Sequence, residues 1–91
     1  MREYAYDITL SKVNDSKIFK EACRQFENKY PSWKKLRLLI DVDGSTIQVY
    51  QNKDQEVIIY DDYDVGAVFA RSDIDLQLIA EAVSEGMFSL V

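Results

Sequence analysis

The sequence predicts an α+β fold in which two helices cover one face of a mainly antiparallel sheet. Three observations carry that prediction. The N-terminal stretch alternates apolar and polar residues, two segments carry apolar residues at helical spacing, and between them short apolar runs are separated by turn residues. The predicted order is β-α-β-β-β-β-α: an N-terminal strand, a helix, a four-stranded meander and a second helix. Met87-Phe88-Ser89-Leu90-Val91 is expected as a short last strand or a packed coil.

Residues 3–10 read as a half-buried strand, with Tyr4, Tyr6, Ile8 and Leu10 on one side. Asn14 is the expected cap of the first helix, and Val13 with Ile18 the expected hydrophobic staple. Ile18, Phe19, Ala22, Cys23 and Phe26 recur at helical spacing, and Pro31 ends the run. Residues 35–42 read as a strand that enters Asp43-Gly44, a pair suited to a two-residue type I′ turn. That turn sets Val42 opposite Ser45, Ile40 opposite Ile47 and Leu38 opposite Val49. A turn at residues 52–55 sets Val49 opposite Ile58 and Ile47 opposite Tyr60. A turn centred on Asp62-Tyr63 sets Tyr60 opposite Val65 and Ile58 opposite Ala67. The second helix is expected from Ser72 or Asp73, with Ile74, Leu78, Ile79, Ala82 and Val83 as its stripe and Gly86 as its C-terminal residue.

This register sorts the meander into two faces. Leu36, Leu38, Ile40, Ile47, Val49, Ile58, Tyr60, Val65, Ala67 and Phe69 are expected under the helices. Leu39, Tyr50, Val57, Ile59 and Val68 then fall on the opposite face, which in a solvated antiparallel sheet is normally polar. A contiguous apolar patch there points to an oligomer or partner interface, and a symmetric homodimer is the commonest such assembly.

With 91 residues, 47% of them apolar, the chain suits a single domain, residues 1–91, with a modest core. No apolar run approaches the roughly 18 residues that span a membrane, and the N-terminus has no signal-peptide h-region. Cys23 is the sole cysteine, which fits a reducing compartment; a cytoplasmic protein with no membrane partner is expected. The net charge of −5 is unevenly spread. Residues 1–40 hold nine basic and five acidic residues, net +4; residues 41–91 hold two basic and eleven acidic, net −9. The acidic half disfavours direct nucleic-acid binding, which needs clustered Lys and Arg.

Chemistry-bearing motifs are scarce. There is no histidine and no glycine-rich phosphate loop. Cys23 falls on the apolar side of its helix, where a thiol is structural rather than nucleophilic. Asp41-Val42-Asp43-Gly44-Ser45 matches only the start of a calcium loop, and a hairpin turn explains it without a metal. Asp41 with Glu56-Val57-Ile58 has the spacing of some metal nucleases but lacks their lysine. Asp73 and Asp75 suit a helix start. No catalytic residue, metal or cofactor is therefore expected. What remains is a surplus of carboxylates at turns: Asp54 and Glu56 at one, Asp61, Asp62 and Asp64 around Tyr63 at another. These six residues are the candidate surface for a basic protein partner. Because successive turns of a meander lie at opposite ends of the sheet, they need not form one patch. The expectation is thus a non-enzymatic, acidic protein-binding module, inhibitor- or antitoxin-like in character. The alternative is a small homo-oligomeric accessory protein, and least expected is a carboxylate-metal enzyme.

Overall fold

The alternating N-terminal stretch forms β1 (Tyr6–Ser11), and the first helical pattern forms α1 (Ser16–Lys29). The predicted strand at 35–42 is broken into β2 (Lys34–Lys35) and β3 (Leu39–Ile40). β4 (Thr46–Asn52), β5 (Gln55–Asp62), β6 (Ala67–Ser72) and α2 (Gln77–Ser89) complete the chain. The structure, a computed structural model, describes residues 3–89, with side chains through residue 86. The fold is α+β with one antiparallel sheet in the order β1-β6-β5-β4-β2, where β3 also pairs with β4. β1 and the β2–β3 segment are the two edges, so α1 carries the chain across the sheet from one edge to the other.

Local chemistry sets the element boundaries. Asp15, not Asn14, caps α1: its backbone is extended and its Oδ1 accepts from the N–H groups of Lys17 and Ile18 at 2.8 and 3.4 Å. Val13 stays exposed, so the expected staple with Ile18 does not form. Tyr30 ends α1 immediately before Pro31. α2 starts later than expected because Ser72 is still the last residue of β6. There Ser72 Oγ donates to Ile74 O and accepts from Ile74 N–H. Asp75 Oδ1 accepts from Gln77 N–H at 2.9 Å and so serves the helix entrance instead. The later start rotates the buried stripe to Leu76, Ile79 and Val83 and leaves Leu78 exposed. Gly86 lies inside α2 rather than after it. A Cβ there would sit 3.3 Å from Glu21 Oε2, so glycine gives α1 and α2 room to approach. Residues 87–89 continue α2 rather than forming a strand, and residues 90–91 lie outside the described residues.

The expected register between β4 and β5 is found, with Val49 opposite Ile58 and Ile47 opposite Tyr60. The β5–β6 loop has four residues, 63–66, instead of the expected two, and the pairing shifts by four, so Tyr60 faces Phe69 rather than Val65. The β3–β4 turn matters more. Gly44, at φ 90°, donates its N–H to Asp41 O, and Asp41 N–H bonds to Ser45 O. This is a three-residue loop with its glycine left-handed, a type I turn with a bulge, rather than a two-residue type I′ turn. It pairs Leu39 with Ile47 and Ile40 with Thr46, one residue away from the expected register. A one-residue slip moves side chains to the other face. Leu36 and Leu38 are on the helix side as expected, but Ile47, Val49, Ile58, Tyr60, Ala67 and Phe69 are on the open side.

The core consequently consists of residues assigned by sequence to the outer face. Tyr50, Val57, Ile59 and Val68 are all buried beneath the helices, together with Ala70. Against them pack Phe19, Ala22, Cys23 and Phe26 of α1, and Leu76, Ile79 and Val83 from the α2 segment. Phe26 is the hub, with its ring 4.5–5.4 Å from those of Tyr30, Trp33 and Tyr50. Burial of these side chains, at about 25 cal/mol per Å² of apolar surface, is the main driving force for holding the two layers together.

Candidate protein-binding surfaces

Ser45 joins two turns at one end of the sheet. Its Oγ accepts from Tyr63 N–H at 2.9 Å, and the Tyr63 ring lies 3.5 Å from where a Gly44 Cβ would stand. Ser45 is itself buried. The β3–β4 loop and the β5–β6 loop are therefore held side by side. Each loop is braced by its own carboxylates. Asp43 Oδ1 accepts from Ser45 N–H at 2.9 Å, and Asp41 Oδ1 accepts from Val42 N–H. Asp62 Oδ1 accepts from the N–H groups of Asp64 and Val65. The hydrogen bonds from Ser45 hold the Asp43 carboxyl below its ordinary range. Between these carboxylates stand three exposed apolar side chains: Val42, fully exposed, Tyr63 and Val65.

Of the six candidate residues, only Asp62, Tyr63 and Asp64 belong to this surface. Asp61 is a correction: it is 1% exposed, beneath α1, and its Oδ1 accepts from Asp15 N–H at 3.1 Å. Burial pushes its carboxyl up from the ordinary value, with the Asp15 hydrogen bond opposing. Asp54 and Glu56 lie at the other end of the sheet, beside the turn between Asn52 and Gln55. There Glu56 accepts from Tyr4 Oη and from Gln51 Nε2, and its N–H donates to Asp73 Oδ2 at 2.8 Å. Asp73 thus ties the loop before α2 to β5 rather than opening a helix.

Asp41, Asp43, Val42 and Val65 were missed as candidates. The signal was present, since Asp-Val-Asp-Gly and Asp-Tyr-Asp-Val-Gly are both acidic, apolar-tipped turns. Their adjacency depends on a loop-to-loop hydrogen bond that spacing alone does not show.

The open face of the sheet is the corrected location of the outer apolar patch. Ile47, Val49, Ile58, Tyr60 and Phe69 lie there half-buried, and only Leu39 of the expected patch joins them. Tyr60 and Phe69 stack with centroids 4.6 Å apart, and Arg71 sits 5.8 Å from each ring centre while pairing with Asp7.

Beside α1, on the helix side, a groove of about 470 Å³ runs along the β2–β3 edge. Phe19, Cys23, Leu36, Leu38 and Gln48 form its floor, and Lys20, Arg24, Glu27 and Lys35 its rim. Tyr50 Oη donates to Glu27 Oε2 at 2.6 Å, and Lys35 Nζ is 3.1 Å from the same oxygen. Burial opposes the charge on Glu27, but these two partners outweigh it and hold the carboxyl below its ordinary range. Burial likewise pushes the Cys23 thiol up to about 11, so it is a thiol and not a thiolate at neutral pH. Among the described residues, no three of His, Cys, Asp or Glu come together to hold a metal ion. No described helix is long and apolar enough to cross a membrane.

Comparison with protein-family models, curated proteins and solved structures returns no match to this chain.

Proposed function

We propose that this chain is a non-enzymatic protein-binding module that presents an acidic, apolar-tipped end to a basic partner. The observation that carries this reading is the Ser45–Tyr63 junction, which places Asp41, Asp43, Asp62 and Asp64 around Val42, Tyr63 and Val65. Carboxylates that steer a partner, next to apolar groups that lose water on contact, are the two ingredients of a specific interface. A basic, nucleic-acid-binding protein has the matching potential, which supports an inhibitor- or antitoxin-like role.

The test is affinity capture on the immobilised chain at low and high salt. A basic protein should be retained at low salt and released at high salt. Asp41→Lys with Asp64→Lys should abolish capture, whereas Asp54→Lys at the far end should leave it intact. Equal loss from both variants, or a partner indifferent to both, would count against the proposal.

A second reading rests on the open face. Ile47, Val49, Ile58, Tyr60 and Phe69 form an uncovered apolar surface, and Arg71 with Asp7 at its margin offers charges of both signs to a symmetric copy. Light scattering after size exclusion distinguishes the two readings: a dimer dissociated by Tyr60→Glu supports an accessory homo-oligomer, and a strict monomer removes that reading.

A further inference from the structure

The helix layer is narrower than the sheet it covers. Five strand positions at about 4.8 Å span roughly 24 Å, whereas two helices packed side by side, with axes 8–10 Å apart, cover about 20 Å. α1 lies over β5 and α2 over β1, so the uncovered remainder falls at the β2–β3 edge. That remainder is the groove of about 470 Å³ beside α1. The edge next to it is unusually apolar, with Leu38 44% and Ile40 70% exposed. Its backbone is also available. Asp41 N–H bonds inward to Ser45 O, so the next residue, Ile40, turns its N–H and C=O away from β4.

The charge of this region is opposite to that of the rest of the molecule. Residues 16–37 carry Lys17, Lys20, Arg24, Lys29, Lys34, Lys35 and Arg37 against Glu21 and Glu27, net +5, while the whole chain is −5. Within the rim, Arg24 is paired to Glu21 and Lys35 to Glu27, and Lys20 has no carboxylate partner among the described residues.

We propose that this edge and groove receive an extended, acidic and apolar segment of a partner protein, which adds to the sheet beside β3. Alternate side chains of an added strand point to opposite faces, so apolar ones enter between Leu36, Leu38 and Phe19 while acidic ones turn to the other face of the edge. There they meet Lys34, which is opposite Gln51, and Arg37, which lies between Leu36 and Leu38; neither cation has a carboxylate partner among the described residues. A second copy of this chain fits poorly here. A two-fold axis at the edge would set Lys34, Lys35 and Arg37 of one copy near the same residues of the other, and facing like charges destabilise a strand pair.

The test is a titration of the full chain with an end-blocked peptide of alternating valine and glutamate, followed by amide NMR. Shifts are expected at residues 36–40 and along 19–27, with slowed exchange of the Ile40 amide. Lys34→Glu combined with Arg37→Glu should weaken binding about fivefold, the loss expected for two exposed edge charges. The same peptide N-methylated at alternate residues should not bind. The proposal is overturned if a valine–lysine peptide binds as well, if the N-methylated peptide binds as well, or if shifts fall on the open face or at the Tyr63 end. It is also overturned if no shift occurs at millimolar peptide, if decanoate binds where the peptide does not, or if the edge amides shift with protein concentration alone.

Discussion

On the helix-covered face, β5 and β6 present Val57, Ile59, Val68, Ala70 and Ser72; on the open face the same strands present Ile58, Tyr60, Ala67, Phe69 and Arg71. Apolar content does not separate the two sets. Size does. A helix can approach a sheet closely only over short side chains, and the covered set is short, with alanine and serine in β6. In these two strands the bulky rings stay on the open side, where Tyr60 and Phe69 stack on each other instead of on a helix; the covered ring, Tyr50, belongs to β4. The covered face also takes polar residues, but only with partners: Gln48 Nε2 donates to Leu36 O at 2.7 Å, and Asp61 accepts from Asp15 N–H.

Truncation of aromatic residues should give the sharpest contrast. Phe26→Ala should cost about 3–5 kcal/mol, because its side chain is fully enclosed. Phe69→Ala should cost about 1 kcal/mol, mostly lost stacking with Tyr60. Denaturant unfolding of the two variants checks this, and equal costs would break the comparison. Next come neighbours on one strand: Ile59→Ala should cost about 2–5 kcal/mol, and Ile58→Ala, half-buried on the open face, clearly less.

Tyr50→Phe should cost roughly 1.5–3 kcal/mol, the range for a hydrogen bond to a charged group. It should also raise the Glu27 carboxyl toward its ordinary value, visible in a side-chain titration. The parent's Glu27 contribution is present above the ordinary carboxylate range and is lost as pH falls through the lowered folded value. In Tyr50→Phe that acid-side loss should be smaller.

Asp61→Asn should give the smallest effect. The Asp61 carboxyl is raised in the fold, so its favourable contribution exists only below the ordinary value and disappears as pH rises through the folded one. At pH 7 the buried charge therefore weighs against folding. Asparagine keeps an acceptor for Asp15 N–H without the charge. The variant should match or exceed the parent's stability at pH 7 and lose that advantage near pH 3, by thermal unfolding at both pH values.

The elements were largely legible in the sequence: the alternation of Tyr6, Ile8 and Leu10, the spacing of Phe19, Cys23 and Phe26, and the pairing of Val49 with Ile58. The facing was not, and the cause is a single turn. Asp43-Gly44 reads equally as a two- or a three-residue loop. The hydrogen bond from Ser45 N–H to Asp43, and the absence at Asp43 of the positive φ that a type I′ turn needs at both central residues, select the longer one. From Leu36 and Leu38, correctly placed toward the helices, the slip carried Ile47, Val49, Ile58 and Tyr60 to the wrong side. The candidate surface was half legible for a related reason. Asp62 and Asp64 stand out locally, but Asp41 and Asp43 join them only through Ser45, and Asp61 leaves them because strand alternation turns it inward.

The broken edge between β2 and β3 has one more consequence, for colloidal behaviour. An exposed apolar strand edge is a template on which chains can stack without limit. Here Lys34, Lys35 and Arg37 flank Leu38, Leu39 and Ile40, and β3 is only two residues long. Repulsion among these cations and the brevity of the strand keep neighbouring molecules apart. Salt that screens the cations, or their acetylation and neutralisation, should turn the same edge into the starting point of aggregation.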